Sequence, residues 1–305
     1  MKRIAILDTD IGSDIDDTWA LGMLINSPKL DTRLVLCGTG DVRYRAALTG
    51  KLLTCWDRTD IEVGLGIAKP VRSLGNGQEG WLGGFQPENT ACKVREDGIA
   101  RAIELIDAAD QVTLIAIGPM TDIAAILLRR PDLAPKCDLR AMAGSIRKNF
   151  FNRDGQIAEY NIREDIPAAQ AVFSAPWRSF QIAPLDTCGM LQLTGENYRK
   201  IEGSDLPVPR AILENFRIWN ETLRMDFFRR KVSSILYDTE AVYLAFDSAF
   251  LKMEPMRLQV DDGGFLRPCR NAGEILVASE WLDLDAFYDV LIQRLLRQEP
   301  PCPEE

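Results

Sequence analysis

Five aspartates lie within ten residues near the start of the chain, directly after a short apolar run. They are Asp8, Asp10, Asp14, Asp16 and Asp17. The apolar run covers residues 4–7, and a second apolar stretch follows at 19–24. This order predicts a buried strand that leads through Gly12 into a helix. In an open α/β sheet such a turn lies in the crevice at the carboxyl end of the strand, where ligands bind.

The density of carboxylates predicts a bound cation. Neighbouring anions raise one another's pKa values unless a positive charge lies between them. A site with only oxygen ligands favours a hard ion such as calcium or magnesium. The alternative is a solvated acidic cap, because aspartate is favourable at a helix N-terminus. A helix N-cap needs only one such residue, so five aspartates favour the cation site over the cap.

Composition limits the partners of the chain. Its 305 residues are 46% hydrophobic, which allows a large core in one big α/β domain or two smaller ones. A formal net charge of −9 without a basic tract argues against nucleic acid, so small neutral or cationic ligands fit better. No apolar run approaches transmembrane length, and residues 1–4 resemble a first strand more than a signal peptide. We expect no membrane partner.

Cysteine and histidine usage narrows the chemistry. Seven cysteines are scattered singly without a Cys-x-x-Cys spacing, which favours reduced thiols in a cytoplasmic protein. The chain contains no histidine, so mechanisms that need a histidine acid, base or metal ligand are excluded. Acid–base work falls to Asp, Glu, Tyr, Cys or Lys.

Strand-like runs alternate with amphipathic stretches over the first 183 residues. The predicted strands are 3–8, 33–38, 62–66, 112–117, 139–143 and 180–183. The predicted helices between them are 16–25, 44–56, 98–108, 121–128 and 167–173. This alternation predicts parallel βαβ units in a mostly parallel, Rossmann-like central sheet flanked by helices.

The pattern changes after about residue 205. We predict helices at 208–228 and 238–246, a hairpin at 257–268 that turns at 261–264, a strand at 275–278 and a closing helix at 282–296. No segment has the composition of a linker. We therefore expect one α/β domain over 1–297 with a C-terminal helical cap, and a disordered tail over 298–305.

The N-terminal acidic run resembles the signature of the nucleoside hydrolases, Asp-x-Asp-Pro-Gly-x-Asp-Asp after the first strand. Here an isoleucine replaces the proline, and extra residues precede the last two acids. The resemblance implies that Asp10 and Asp17 bind calcium and that Asp10 is also the catalytic base. It implies that Asp16 holds ribose hydroxyls. Asp14 is the additional acid, interpreted as a hydrogen-bond acceptor behind the ligands.

Two further segments resemble metal-binding parts of the same family. Residues 116–124 are similar to its Gly-Pro-Leu-Thr-Asn segment, which implies that the carbonyl of Ile117 is a ligand. Taken alone, an ordinary βα turn with Pro119 at the first helical position explains this segment better. Residues 237–242 resemble the family's His-Asp-Pro-x-Ala, which implies that Asp238 completes the site. A plain helix N-cap is the competing interpretation of Asp238.

A fourth segment, residues 158–161, resembles the family's Ala-Glu-Phe-Asn. On an extended backbone, Glu159 and Asn161 would reach the same side. A carboxylate and an amide suit the capture of vicinal hydroxyls, and the resemblance gives both a ribose-binding role. Asn152 is interpreted as a stand-in for another family asparagine, with a solvated loop as the alternative. The four matches occur in the family's order and span residues 7–242.

The chain departs from the family on the side of the leaving group. Tyr237 stands where inosine-type members have a histidine, a His-Gly pair becomes Asn76-Gly77, and a Gly-Asn pair becomes Gly40-Asp41. Asn76 and Asp41 are kept as candidate substrate contacts. Trp81, in a glycine-rich loop, is expected near the pocket. Tyrosine, with a reference pKa of about 10, is a weaker acid than imidazolium, so we expect slow turnover of inosine.

The resemblance implies a calcium-dependent N-ribohydrolase in which metal-activated water attacks C1′ of a ribonucleoside. It also suggests a homodimer or homotetramer. Two alternatives remain open. One is a ribosyl-ligand binding protein with little or no turnover, because the histidines are missing. The other is an aspartyl-nucleophile phosphatase, which Asp8-Thr9-Asp10 suggests, although no matching lysine or second acidic motif is present.

Overall fold

A single mixed sheet runs through the molecule. The computed structural model describes residues 2–70 and 75–297, so the predicted disordered tail at 298–305 lies outside the described residues. Within them, ten strands form the sheet. In chain order these are β1 (Arg3–Thr9), β2 (Leu30–Cys37), β3 (Glu62–Leu65), β4 (Val94–Arg95), β5 (Val112–Ala116), β6 (Cys137–Met142), β7 (Ser179–Ala183), β8 (Leu251–Val260), β9 (Leu266–Pro268) and β10 (Glu274–Trp281).

The spatial order of the strands is β4-β3-β2-β1-β5-β6-β7-β10-β8-β9. All neighbours from β4 to β10 pair in parallel, and β8 and β9 extend the sheet antiparallel. The predicted strands and the predicted hairpin are confirmed. The first half of β8 was not predicted, because Pro255 and the charged residues around it are typical of a loop.

The helices of the described residues lie on both faces of the sheet. They are α1 (Asp16–Ile25), α2 (Val42–Cys55), α3 (Glu79–Leu82), α4 (Gly98–Asp107), α5 (Thr121–Arg129), α6 (Tyr160–Arg163), α7 (Ile166–Ser174), α8 (Leu185–Cys188), α9 (Gly195–Glu202), α10 (Pro207–Thr222), α11 (Phe227–Arg230), α12 (Tyr237–Leu244) and α13 (Leu284–Leu295). Three short 3-10 turns add Pro87–Asn89, Pro131–Lys136 and Phe150–Asn152.

The single helix predicted over 208–228 is wrong. α10 ends at Thr222, and α11 is a separate short helix. Arg224 between them has a φ of 54°, a left-handed conformation that ends a helix. In the part of the chain that the structure describes, no helix is both long and apolar enough to cross a membrane.

Alternate residues of the strands face two separate apolar cores. Leu7 and Val35 pack in the core that includes α1, α2, α10, α12 and α13. Ile6 and Leu34, their neighbours in sequence, pack in the core of α4, α5 and α7. Because successive strand side chains point to opposite faces, this division places the sheet between two helical layers.

The central pair β1 and β5 defines the place of a binding crevice. The chain continues from β1 to β2 on one side of the pair and from β5 to β6 on the other. The carboxyl ends of two such strands form a topological switch point. Residues 10–15, here called the acidic loop, follow β1, and Ile117 follows β5. The backbone N–H of Ile117 donates to the Asp8 carbonyl at 2.8 Å.

We predict that Glu62 stabilises the outer edge of the parallel sheet. Its carboxylate accepts hydrogen bonds from Arg95 at 2.7 Å and Arg101 at 2.7 Å, which tie β3 to β4 and α4. Arg95 first, and then Arg101, lowers the pKa of Glu62 to about 2 from the usual 4.5. The contribution is therefore complete above about pH 4.5 and is lost as the pH falls through 2.

The substitution Glu62→Gln should lower the free energy of unfolding by about 1–2 kcal/mol at pH 7 and by less at pH 3, measured by urea denaturation. Glu104→Gln is the matched control, because Glu104 meets Arg101 on the exposed surface and its removal should have a much smaller effect. Equal effects of the two substitutions, or no pH dependence, would contradict this account.

Candidate metal centre and active site

An open cleft with a volume of about 340 Å³ lies at the switch point. It is lined by Asp10, Ser13, Asp14, Asp16, Asp17, Ile117, Met142, Phe150, Glu159, Tyr160, Asn161, Arg163, Tyr237 and Asp238. Nine of the residues predicted for the site are among them. Six of the lining residues carry carboxylates, and Arg163 is the one basic side chain of this lining. Residues more than 200 positions apart in sequence thus form one acidic floor.

Three carboxylates converge tightly enough to hold one ion. Oxygen atoms of Asp16, Asp17 and Asp238 lie within 4.8 Å of one another, and all three residues are buried. Asp16 and Asp17 lie in the first turn of α1, and Asp238 lies in the first turn of α12. The positive ends of two helix dipoles therefore point at the cluster, which favours negative charge there. Asp238 is in a helix turn, yet its carboxylate belongs to the cluster.

The acids of the cluster resist ionisation together. Burial raises the pKa of Asp17 well above its usual value, and the charge of Asp10 raises it further. Burial and then the charge of Asp16 do the same to Asp238. A divalent cation would remove this repulsion, and the all-oxygen donor set suits a hard ion. The residues present therefore fit a metal site.

Asp10 and Asp14 approach the same floor from the acidic loop. Burial is the main cause that raises the pKa of Asp10, while the nearby charge of Arg45 lowers it. Burial raises the pKa of Asp14 to about 6. The backbone of the loop after β5 passes close to Asp10, because a Cβ atom on Gly118 would lie 2.8 Å from the Asp10 nitrogen. Glycine at 118 permits this contact.

Glu159 and Asn161 line the cleft, but not from a strand. The extended backbone expected for this pair is wrong, because Glu159 is the N-cap of α6 and Asn161 lies in that helix. The Glu159 carboxylate accepts from the backbone N–H groups of Asn161 at 2.7 Å and Gly144 at 3.0 Å. The Asn161 amide donates to the Ile117 carbonyl at 3.2 Å. Asn161 therefore contacts the carbonyl that the family resemblance implies as a ligand.

An aromatic wall faces the acidic floor. The rings of Phe150 and Tyr237 meet edge to face with centroids 6.0 Å apart, and Tyr160 also lines the cleft. Burial, and then the charge of Asp16, raises the pKa of the Tyr237 phenol, which therefore stays protonated at neutral pH. The wall offers apolar surface on which a planar ring can stack, beside the hydroxyls of Tyr160 and Tyr237.

Sequence reasoning missed several lining residues. Ser13 and Met142 carry no chemical signal in their local sequence. Tyr160 lay inside a recognised motif without an assigned role. Arg163 could have been found from its helical spacing, four residues after Glu159, had α6 been predicted.

Four predicted substrate contacts lie outside the lining of this cleft, and their roles remain predictions. They are Asp41, Asn76, Trp81 and Asn152. Asp41 is exposed and caps α2, accepting from the Tyr44 N–H at 3.0 Å. Asn152 is exposed in a short turn, with a φ of 58°.

Two of these residues belong to the segment around α3. Asn76 is exposed, and its carbonyl accepts from the Glu79 N–H at 3.2 Å. Trp81 is buried, and the Lys51 ammonium lies 4.3 Å from its ring centroid. Lys51 also donates to the Leu82 carbonyl at 3.1 Å. Packing against α2 accounts for the position of Trp81.

Comparison with known proteins agrees with these features. The profile of the inosine-uridine preferring nucleoside hydrolase family matches residues 5–286. The chain is 33% identical over 180 residues to the non-specific ribonucleoside hydrolases RihC of Salmonella enteritidis PT4 and Salmonella agona. These alignments cover 55% of this chain and 56% of each relative, so the chain spans about half the length of the curated relatives it matches.

Solved structures share the fold over nearly the whole chain. A plant nucleoside hydrolase, PpNRh1, has a TM-score of 0.79 at 19% identity and covers 97% of this chain and 99% of its own. A purine-preferring ribonucleoside hydrolase from Gardnerella vaginalis has a TM-score of 0.78 at 19% identity, with 96% and 98% covered. At this identity the likeness establishes the α/β fold with its central, mostly parallel sheet.

We predict that calcium raises the melting temperature of the protein. A ligand that binds only the native state stabilises it by about 2.7 kcal/mol at a hundredfold excess over Kd, or about 5 °C here. The measurement is differential scanning fluorimetry with calcium chloride or EDTA. Asp238→Asn should abolish most of the shift, because it removes a carboxylate from the cluster.

Asp262→Asn is the matched control, since Asp262 lies in the exposed β8–β9 turn. It should leave the calcium-induced shift unchanged. If Asp238→Asn keeps the calcium-induced rise in melting temperature, the ion binds elsewhere. If Asp262→Asn loses this rise as well, the loss does not identify the carboxylate cluster as the site.

Proposed function

Because the chain belongs to the inosine-uridine preferring nucleoside hydrolase family, we propose that it hydrolyses the N-glycosidic bond of a ribonucleoside or related ribosyl compound with the help of calcium. The observation that carries the proposal is the convergence of Asp10, Asp16, Asp17 and Asp238 on one buried floor, beside an aromatic wall. The names of the curated relatives, ribonucleoside hydrolases, support the reaction class.

Oxygen atoms of Asp10, Asp17 and Asp238 and the Ile117 carbonyl would hold the calcium ion, and Asp16 lies close enough to the cluster to contribute. Six to eight oxygen ligands are usual for calcium. When bound, the ion supplies a positive charge that neutralises the cluster and lowers the pKa of water in the site.

In this proposal the side chains of the cleft accept a proton, bind the ribose and stabilise the transition state. Asp10 accepts the proton of the attacking water as general base. Glu159 and Asn161 orient the ribose, with Asp16 on its hydroxyls. Cleavage at C1′ develops an oxocarbenium-like positive charge, as in glycoside hydrolysis. The acidic floor, whose carboxylates are buried, stabilises this charge electrostatically.

Departure of the base is the difficult step for this chain. It contains no histidine, and the cleft lining offers the hydroxyls of Ser13, Tyr160 and Tyr237, of which Tyr237 stands where inosine-type members of the family have a histidine. Its raised pKa makes the phenol a poor proton donor to a leaving purine, although it can still donate a hydrogen bond. We therefore infer a preference for leaving groups that depart without full protonation.

The assembly and location of the protein are part of the same proposal. We infer a homodimer or homotetramer in the cytoplasm. The six cysteines within the described residues are free, as expected of a reducing compartment. Light scattering coupled to size-exclusion chromatography measures the oligomeric state.

The substitution Asp10→Asn should lower kcat by a factor of about 10²–10⁴, because the amide cannot accept the proton of water. Ribose release from a nucleoside panel, with and without EDTA, is the measurement. Asp262→Asn should leave kcat unchanged. Nucleoside-induced thermal stabilisation of the parent protein without any ribose release would favour a binding protein, and release of phosphate from p-nitrophenyl phosphate would favour a phosphatase.

The leaving group should control the rate. We expect kcat/KM for p-nitrophenyl β-ribofuranoside to exceed that for inosine by at least tenfold, because nitrophenolate departs without protonation. Tyr237→Phe should slow inosine hydrolysis more than hydrolysis of the nitrophenyl riboside. Equal losses on both substrates would mean that Tyr237 acts through binding or packing and not on the leaving group.

A further inference from the structure

The backbone of the acidic loop is held by side chains from outside it. Five consecutive carbonyls, those of residues 10–14, each accept a hydrogen bond from one of four residues. Arg45 donates to Asp10 and to Ile11 at 2.8 Å, Tyr44 to Gly12 at 3.0 Å, Trp219 to Ser13 at 3.1 Å and Gln78 to Asp14 at 2.5 Å. We call these four donors, Arg45, Tyr44, Gln78 and Trp219, the carbonyl cradle.

The cradle opposes a specific instability. The loop has no regular secondary structure, so its buried carbonyls depend on these donors. Asp10 in the loop and Asp16 and Asp17 at the start of α1 repel one another. This repulsion would push the loop out of shape. The hydrogen bonds to the five carbonyls fix the backbone from which those side chains project, and thereby fix the spacing of the carboxylates.

Gln78 is the junction of this network and is completely buried. Its side-chain oxygen accepts from Thr18 of α1 at 3.0 Å and from Asn215 of α10 at 2.7 Å. Its backbone N–H donates to the Tyr44 hydroxyl of α2 at 3.0 Å. Because the Asp14 carbonyl can only accept, the amide nitrogen of Gln78 must face it, which fixes the orientation of the side chain.

We propose that Gln78 is a positioning residue for the metal centre, which holds the acidic loop in the shape that gives the carboxylates their affinity for a divalent cation. This inference rests on the metal site of the proposed function. Gln78 does not line the cleft, so it acts through the Asp14 carbonyl and through the two helices that its side-chain oxygen joins.

The test measures metal affinity directly in the full-length chain, by terbium luminescence and by calcium titration calorimetry. Gln78→Met removes the donor and the acceptor and should weaken binding about ten- to a hundredfold, the usual loss when a supporting hydrogen bond to a metal site is removed. Gln78→Glu keeps the acceptor for Thr18 and Asn215 but offers no N–H to Asp14. It should also weaken binding, although it adds a negative charge.

One control and one further variant separate this role from general stability. Gln170→Met removes a side-chain donor to the Val260 carbonyl on the other face of the sheet and should leave metal affinity unchanged. Tyr44→Phe keeps a ring beside Gly12 but removes the hydroxyl that bridges Gly12 and Gln78. It should weaken binding in the same direction, and it carries the test if Gln78→Met does not fold.

Folded Gln78 variants that bind terbium and calcium as tightly as the parent protein would overturn the inference, even if their melting temperatures fall. Tighter binding by Gln78→Glu would overturn it as well, since charge and not loop shape would then govern affinity. If the parent protein binds calcium but releases no ribose, the proposed hydrolysis is refuted and the role of Gln78 is not. Weaker metal binding by the Gln78 variants would still support that role.

Discussion

Mutual repulsion among buried carboxylates is the constraint on which the architecture of the site depends. Asp10, Asp16, Asp17 and Asp238 are brought together at the carboxyl ends of β1 and β5, where the chain leaves the pair in opposite directions. Each has a raised pKa, with burial as the largest cause. The two helix N-termini and the nearby Arg45 offset part of this cost, and a bound cation would offset the remainder.

The fold tolerates the repulsion among these carboxylates because the elements that hold them come from distant parts of the sequence. α1 supplies two of the acids and α12 supplies Asp238. Side chains of α2 and α10 donate hydrogen bonds to the carbonyls of the acidic loop between β1 and α1. Both faces of the sheet pack against apolar cores, but the end of β1 is part of the acidic region. Asp8 of this strand is buried, and its pKa is raised by burial and then by the charges of Asp122, Asp10 and Asp17. The Thr9 hydroxyl donates to the Asp17 carboxylate. Apolar packing on both faces of the sheet thus holds the acids together.

Local patterns predicted the parts of the molecule that depend on local interactions. The apolar run before the acids predicted β1, and the period of the next stretch predicted α1 with its observed bounds. The motif around Asp238 predicted its approach to the N-terminal acids, because the match to a family conveys a long-range contact that periodicity cannot. The extended backbone assumed at Glu159 failed, since a single helical turn with an acidic N-cap has too few residues to show a period.

Contacts between side chains and distant backbone were beyond local reasoning. Nothing around Gln78 indicates that its amide meets the carbonyl of Asp14, 64 residues earlier in the chain, and a buried arginine such as Arg45 resembles any helical surface arginine in sequence. Such contacts depend on the register of whole elements, which is set by the two apolar cores.

The two borders of the sheet have a consequence for self-association. β4 has two residues, and β9 has three and pairs only with Leu258–Val260 of β8, so the first part of β8 is also a sheet edge. That part of β8 contains Pro255 and the charged residues Lys252, Glu254 and Arg257. A very short edge strand, a proline and charged side chains at an edge all discourage ribbon-like growth of one sheet into the next. Copies of this chain that come together should therefore meet through side chains on the helical layers, and a discrete, closed assembly is the outcome that such borders favour over a fibre.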